Sequence, residues 1–273
     1  MALDNNAPKG WKNLDDFRDG LATNLQQTSK ELEGTTQSFT FEEIGGIGEP
    51  LCKVPSVKLV FNVKTEQTTC LRDKTEYPCG ITTFKIDETI YYIGCQILAP
   101  INEDYSVFFN TKTGQALAIH AIAREESVPG ECRVVQAYMV GHLDGVEVSG
   151  FKPERTRELI GQRLLIIYSP NHYYEQIFLN SGRYCWHNLK GEQYGDAFSE
   201  TCDFFKFDDK IYIYSWREML IPCGTSYILN YRNNVATGKF IGWTGDGEIS
   251  HSYAGGEMQI LSTTYFPKEC QPK

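Results

Sequence analysis

No run of Lys or Arg occurs in this chain of 273 residues, whose 26 basic and 35 acidic side chains leave a net charge of −9. A surface with that balance repels phosphate backbones, so nucleic acid is not expected as a partner. No stretch approaches the roughly 20 consecutive apolar residues of a membrane span. The first ten residues hold no apolar core of the secretory kind. A cytoplasmic location without a membrane partner is therefore expected. The nine cysteines are odd in number and contain no Cys-x-x-Cys pair, which favours free thiols over a disulfide framework. The five histidines form no His-x-His or His-x-x-x-His pair, so the sequence offers no metal site. Neither a dinucleotide fingerprint, a P-loop, a nucleophile elbow nor a kinase set is present. Gly242-Trp-Thr-Gly-Asp-Gly247 is glycine-rich, yet it follows a strand pattern and opens no helix. It is expected to be a turn at a barrel mouth that could act as a lid. No cofactor is expected.

What the chain does contain is one segment twice. Phe84-Lys-Ile-Asp-Glu-Thr-Ile-Tyr-Tyr-Ile93 recurs as Phe205-Lys-Phe-Asp-Asp-Lys-Ile-Tyr-Ile-Tyr214, an offset of 205 − 84 = 121 residues. Leu32-Glu-Gly34 answers Leu159-Ile-Gly161, and Thr113-Gly-Gln115 answers Thr237-Gly-Lys239. A repeat this long is a whole small domain. The expected division is 1–148 and 149–273. Around these pieces, short alternating runs recur every 8–14 residues or so between turn residues, the pattern of antiparallel barrels or sandwiches. A helix is expected from Trp11 to about Leu25, a linker with a short helix over Gly145–Glu158, which holds the charged cluster Glu154–Glu158, and a loose tail from Phe266 to Lys273. The fold class is all-β, two antiparallel barrels in tandem behind a short helix.

Strand alternation puts Tyr212, Tyr214, Trp216 and Glu218 on one face, and Leu164, Ile166 and Tyr168 on another. A carboxylate among aromatics loses hydration, and its pKa rises toward neutrality, where it can exchange protons. A rim position for Glu218, in water, is the competing reading. At the 121-residue offset the first copy has Tyr91, Ile93, Cys95 and Ile97 instead, and at the 127-residue offset of the Leu-x-Gly pieces it has Phe41 for Tyr168. Proton chemistry is thus expected in the second domain only. The first would be a structural partner, lid or wall.

Two resemblances sharpen this. Trp11…Phe17…Gly20, Tyr184-Cys-Trp-His187, Gly191-Glu-Gln-Tyr-Gly195 and Ile211-Tyr…Trp216-Arg-Glu218 resemble the MoaF family, which implies two calycin-like or lipocalin-like halves. Over roughly 60 residues from Leu159-Ile-Gly161 to Glu218, the second domain is also similar to the phenolic acid decarboxylases, single lipocalin-like barrels. There, two tyrosines hold the substrate carboxylate while an arginine and a glutamate act at the phenol end. Tyr168 and Glu218 match that set. Ile166 stands for the first tyrosine and Asp196 for the arginine. Without that cation, an anionic substrate would meet like charge, so a neutral one is expected.

The expected site thus has Glu218 as general acid/base, Tyr168 as orienting or donating group and Asp196 as a second acid. Ile166, Tyr174, Trp186, Tyr212, Tyr214 and Trp216 would bind the substrate. Glu175, His187, Cys185 and Cys223 are weaker candidates, better read as strand, surface or inert positions. The expected activity is a cofactor-independent lyase, isomerase or cyclase of small-molecule metabolism, acting on a hydrophobic or aromatic ligand. A carrier of such a ligand, or an assembly factor, is the alternative, and a homodimer is left open.

Overall fold

The computed structural model describes residues 7–64 and 68–273. Its strands are β1 (Thr36–Gly45), β2 (Cys52–Asn62), β3 (Thr69–Arg72), β4 (Thr75–Lys85), β5 (Ile90–Ile97), β6 (Glu103–Asn110), β7 (Gln115–Ala123) and β8 (Val134–Leu143), then β9 (Glu154–Arg155). There follow β10 (Gln162–Ser169), β11 (His172–Asn180), β12 (Arg183–Lys190), β13 (Ala197–Asp208), β14 (Ile211–Arg217), β15 (Cys223–Asn230), β16 (Val235–Trp243) and β17 (Ile249–Thr263). The protein is all-β, with two closed eight-stranded antiparallel barrels and one short helix near the N-terminus. β1 to β8 form one barrel in sequence order. β10 to β17 form the other, closed by the β12–β13 and β10–β17 pairings, and β9 lies at the outer edge of β13.

Each barrel is a meander because consecutive runs alternate apolar and polar and are joined by tight turns. Eight strands enclose an interior that side chains just fill. In the first barrel that interior is apolar, with Phe39, Phe41, Phe61, Ile93, Val107 and Phe109 at 0% exposure. In the second it is aromatic and polar, with Tyr168, Tyr184, Tyr214, Trp216 and Tyr227 packed together.

The compact units are not two contiguous halves. One comprises residues 27–122 with 136–154. The other comprises 155–273 together with 1–26 and 123–135. The N-terminal segment therefore packs with the second barrel, where Leu14, Phe17 and Leu21 join the core cluster.

Its helix is also shorter than the apolar spacing suggests. α1 covers Leu14–Phe17 and a 3-10 turn covers Arg18–Leu21. Gly20 lies so close to the His172 ring that a Cβ would sit 2.1 Å from it, so the chain is laid flat on the barrel. A helix this short holds through tertiary contacts rather than by itself.

The charged cluster Glu154–Glu158 forms no helix. Glu154–Arg155 pairs as β9, and Arg155 bonds to Asp203 of β13. The C-terminal tail is held as well: Lys268–Cys270 forms a 3-10 turn, and Ser181 N donates to Lys273 O at 2.8 Å.

Candidate functional site

The hairpin of β13 and β14 organises the second barrel's interior. Its register pairs Phe204 with Tyr214 and Cys202 with Trp216. Continued by two residues, the same register sets Glu200 opposite Glu218, at the spacing of directly facing side chains. Both are buried, Glu200 at 1% and Glu218 at 7% exposure.

Their hydrogen bonds tie them to the same corner. Trp216 Nε1 donates to Glu218 Oε1 at 3.0 Å. The backbone N–H of Met219, next in the chain, donates to Glu200 Oε2 at 3.1 Å. Burial pushes both carboxyls far above the usual carboxylate range, Glu218 to about 7 and Glu200 to about 9. For Glu200 the charge of Glu218 adds to burial, while the hydrogen bonds from Trp216 and Cys223 hold Glu218 back. With both carboxyls out of water, burial and the charge of Glu218 acting on Glu200 disfavour ionising the two together. In the first barrel the repeat offset puts Cys79 and Ile97 at these places, and those two residues are themselves paired. The duplication preserves the hairpin and replaces its acids.

Glu218 opens onto a cavity of about 20 Å³ lined also by Phe17, Leu21, Tyr168, Tyr174, Gln176, Tyr184, Trp186, Gln193, Trp216 and Phe240. A space of that size accepts about one water molecule. The N-terminal segment closes it. Phe17 and Leu21 form part of the wall, and Trp11 packs on Trp186 with ring centres 5.6 Å apart. Backbone and side-chain bonds fasten the segment. Asn24 N donates to Tyr168 O at 2.8 Å, Gly245 N to Asp15 Oδ1 at 2.7 Å, and Thr237 Oγ1 to Gln26 Oε1 at 3.1 Å. The glycine-rich turn Gly242–Gly247 thus serves as an anchor for the N-terminal segment.

Of the expected residues, Glu218, Tyr168, Tyr174, Trp186 and Trp216 come together around the cavity. Burial raises the Tyr168 and Tyr174 phenols above their ordinary range, so they act as neutral donors. Tyr214 and Ile166 are fully buried core neighbours but do not line the cavity. Tyr214 stacks on Trp216 and bonds to Gln176.

Tyr212 shares the inward face but lies six residues, about 20 Å, from Glu218, and its hydroxyl donates to Glu158 Oε2 at 2.6 Å. Asp196 lies in the turn after β12, where its backbone bonds to Asn188 and Gln193, and is absent from the cavity wall. Glu175 and His187 face outward, where Glu175 bonds to Arg163 at 2.5 Å with His187 3.6 Å away. Cys223 is fully buried and donates to Glu218. Among the described residues no cluster of His, Cys, Asp or Glu has the geometry to hold a metal ion.

The site also holds residues that the sequence pattern did not assign to it: Glu200, and on the cavity wall Phe17, Leu21, Gln176, Tyr184, Gln193 and Phe240. Glu200 was legible through the hairpin register. Gln176 shares Tyr174's face by alternation. Gln193 sits in an irregular turn and carries no periodic signal.

One comparison with known proteins falls on this barrel. The family model described as the MoaF C-terminal domain matches residues 153–264. Residues 153–264, the greater part of the second barrel, are thus similar to the MoaF C-terminal domain. Protein MoaF of Klebsiella aerogenes is 32% identical over 143 residues, which cover 50% of this chain and 54% of that protein. The chain thus spans about half the length of the curated relative it matches. Among solved structures, a protein of unknown function from the DUF3598 family of Nostoc punctiforme PCC 73102 aligns over 88% of this chain and 97% of its own, at 12% identity and a TM-score of 0.34. The matched range contains Tyr168, Trp186, Glu200 and Glu218, and excludes the plugging residues Phe17 and Leu21.

Proposed function

We propose that the second barrel binds a small neutral molecule and transfers protons to and from it, with Glu218 as the acid/base and Glu200 as its proton-sharing partner. The observation that carries this is the buried pair of carboxyls, of which Glu218 lines an aromatic cavity and Glu200 lies behind it. Burying two acids is costly, and purely structural acids are normally paired with cations. Glu218 instead takes its hydrogen bonds from the Trp216 indole and the Cys223 thiol. Displaced carboxyl pairs of this kind are the usual way a fold supplies a base and an acid together at neutral pH.

The reaction class is a lyase, isomerase or cyclase step that needs no cofactor. An aromatic wall and an acidic centre suit an uncharged, largely apolar substrate. Entry requires Phe17 and Leu21 to move aside, so the N-terminal segment gates the site. The activity should rise through the Glu218 titration near pH 7 and fall through that of Glu200 near pH 9.

The test is comparative. A metabolite extract from the source organism is incubated with the wild-type protein and with Glu218→Gln, and analysed by mass spectrometry. A compound converted only by wild type supports an enzyme centred on Glu218. No change of mass would indicate an isomerase or cyclase, and a loss of mass a lyase. Retention of one compound by both proteins, with no conversion, would instead favour a carrier.

A further inference from the structure

Two buried N–H donors at the cavity wall are not used by the carboxyl pair, and among the described residues the Tyr184 hydroxyl on the same wall also lacks a hydrogen-bond partner. Trp186 is 4% exposed and Gln193 is 3% exposed, and both line the cavity. Among the described residues neither Trp186 Nε1 nor Gln193 Nε2 has an acceptor. The orientation of the Gln193 amide follows from its neighbours. The Tyr174 hydroxyl takes a hydrogen bond from Asn188, so its own proton goes to Gln193 Oε1, 2.8 Å away. The amide oxygen is thereby occupied and the NH₂ group is left over. Buried donors without acceptors are rare in folded proteins and call for an explanation.

The chemistry of the missing acceptor can be narrowed. No Lys or Arg lines the cavity, and Glu218 does, which disfavours an anion. A hydroxyl or a water molecule would also satisfy the two donors, but its proton would go to Glu218, the carboxyl on the same wall that the acid/base reading keeps free to take a proton from the ligand. A carbonyl oxygen has two lone pairs and no proton, so it matches two N–H donors with nothing left over. We infer that the ligand of this cavity is a neutral carbonyl compound whose oxygen is held by the Trp186 and Gln193 N–H groups.

This deepens the acid/base reading and rests on it for the chemical step. With the oxygen so held, the carbon beside the carbonyl is the one whose proton Glu218 can take. The C–H bond breaks and its electron pair forms a carbon–carbon double bond. The carbonyl π pair moves onto oxygen, where the two N–H groups stabilise the charge. The proton rests on Glu218 and returns to the same carbon or to a conjugated one. No oxidant, reductant or further reactant is needed.

Two probes of nearly equal shape test the inference, cyclohexanone and methylenecyclohexane, which differ in the oxygen alone. Their dissociation constants are measured by calorimetry on the full chain and on Phe17→Ala, whose mouth is wider. The expected result is a preference for the ketone of about tenfold, the worth of one to two hydrogen bonds made in a dry site. Trp186→Phe and, separately, Gln193→Met should each reduce that preference. Equal affinity for the two probes, absence of binding by both proteins, or a preference untouched by either variant overturns the inference.

Proton magnetic resonance of cyclohexanone in D₂O then reads the acid/base function on its own. Exchange of the α-protons that depends on Glu218 supports both proposals. Ketone preference without Glu218-dependent exchange keeps the carbonyl site and refutes the acid/base reading.

Discussion

Raising the pH should destabilise this protein, and substituting Gln for both Glu200 and Glu218 should remove most of that effect. An unfolded glutamate ionises at its ordinary value, 4.5, whereas Glu218 in the barrel holds its proton up to about 7 and Glu200 up to about 9. Between those limits the folded state binds more protons than the unfolded state. Stability therefore falls as pH rises, since its slope follows the protons bound by the unfolded chain minus those bound by the folded one. The stabilisation is complete below 4.5 and is lost as pH climbs through the folded values.

Each unit of displacement is about 1.4 kcal/mol. Glu218 alone thus accounts for on the order of 3 kcal/mol, and Glu200 adds to it because the two interact. At roughly 2–4 °C per kcal/mol for a domain of this size, the melting temperature should drop on the order of 10 °C between about pH 5 and pH 9. Burial holds His172 below its ordinary value, which works in the opposite sense at acid pH, but it is common to wild type and variant and cancels in their difference. The assay is scanning calorimetry of wild type and the double variant across that range. Parallel curves for the two proteins would refute the claim that the pair is buried and displaced.

Three further outcomes follow from the packing. Phe17→Ala removes a core side chain at 5% exposure from the cavity wall; it should cost about 3–5 kcal/mol in urea unfolding and increase uptake of small apolar probes. Asp203→Ala should cost about 3–5 kcal/mol in the same assay, because Arg217 and Asp203 are both wholly buried and bond at 2.8 Å, so the change would strand a buried guanidinium. Gly256→Ala should destabilise the β10–β17 seam by about 1–3 kcal/mol, since its Cβ would lie 2.1 Å from the Ile167 carbonyl oxygen; a neutral melting temperature would contradict that register.

How far the sequence foretold this depends on the kind of signal each residue carried. Alternation along β14 was enough to turn Tyr214, Trp216 and Glu218 inward, and the repeat was enough to show that the first barrel has no acid at the equivalent place. Alternation carries no information about depth, so Tyr212 was grouped with residues at the far end of its own strand. Glu200 lies in the first half of β13, which begins at Ala197, ahead of the repeated segment that starts at Phe205. Counting back from the turn after Asp208 would have paired it with Glu218. Helical spacing from Trp11 to Leu25 reflected a true apolar face, but that face is laid along a barrel and its chain is helical only at Leu14–Leu21. Gln193 owes its place to the turn Gly191–Gly195, where no periodicity applies. Asp196 was carried over by resemblance alone, and its surroundings differ from those of the cavity wall.

The central claim is that Glu200 and Glu218 form a buried pair sharing a proton near neutral pH, and carbon-13 magnetic resonance of glutamate carboxyls tests it most directly. With Glu labelled at Cδ, wild type should show two resonances that titrate well above the ordinary carboxylate range and influence each other. Glu218→Gln should remove one and lower the midpoint of the other, because the charge that raises Glu200 is gone. If every glutamate resonance titrates at its ordinary value, or if Glu218→Gln leaves the Glu200 resonance unmoved, the two acids do not act as a pair and the proposed chemistry loses its foundation.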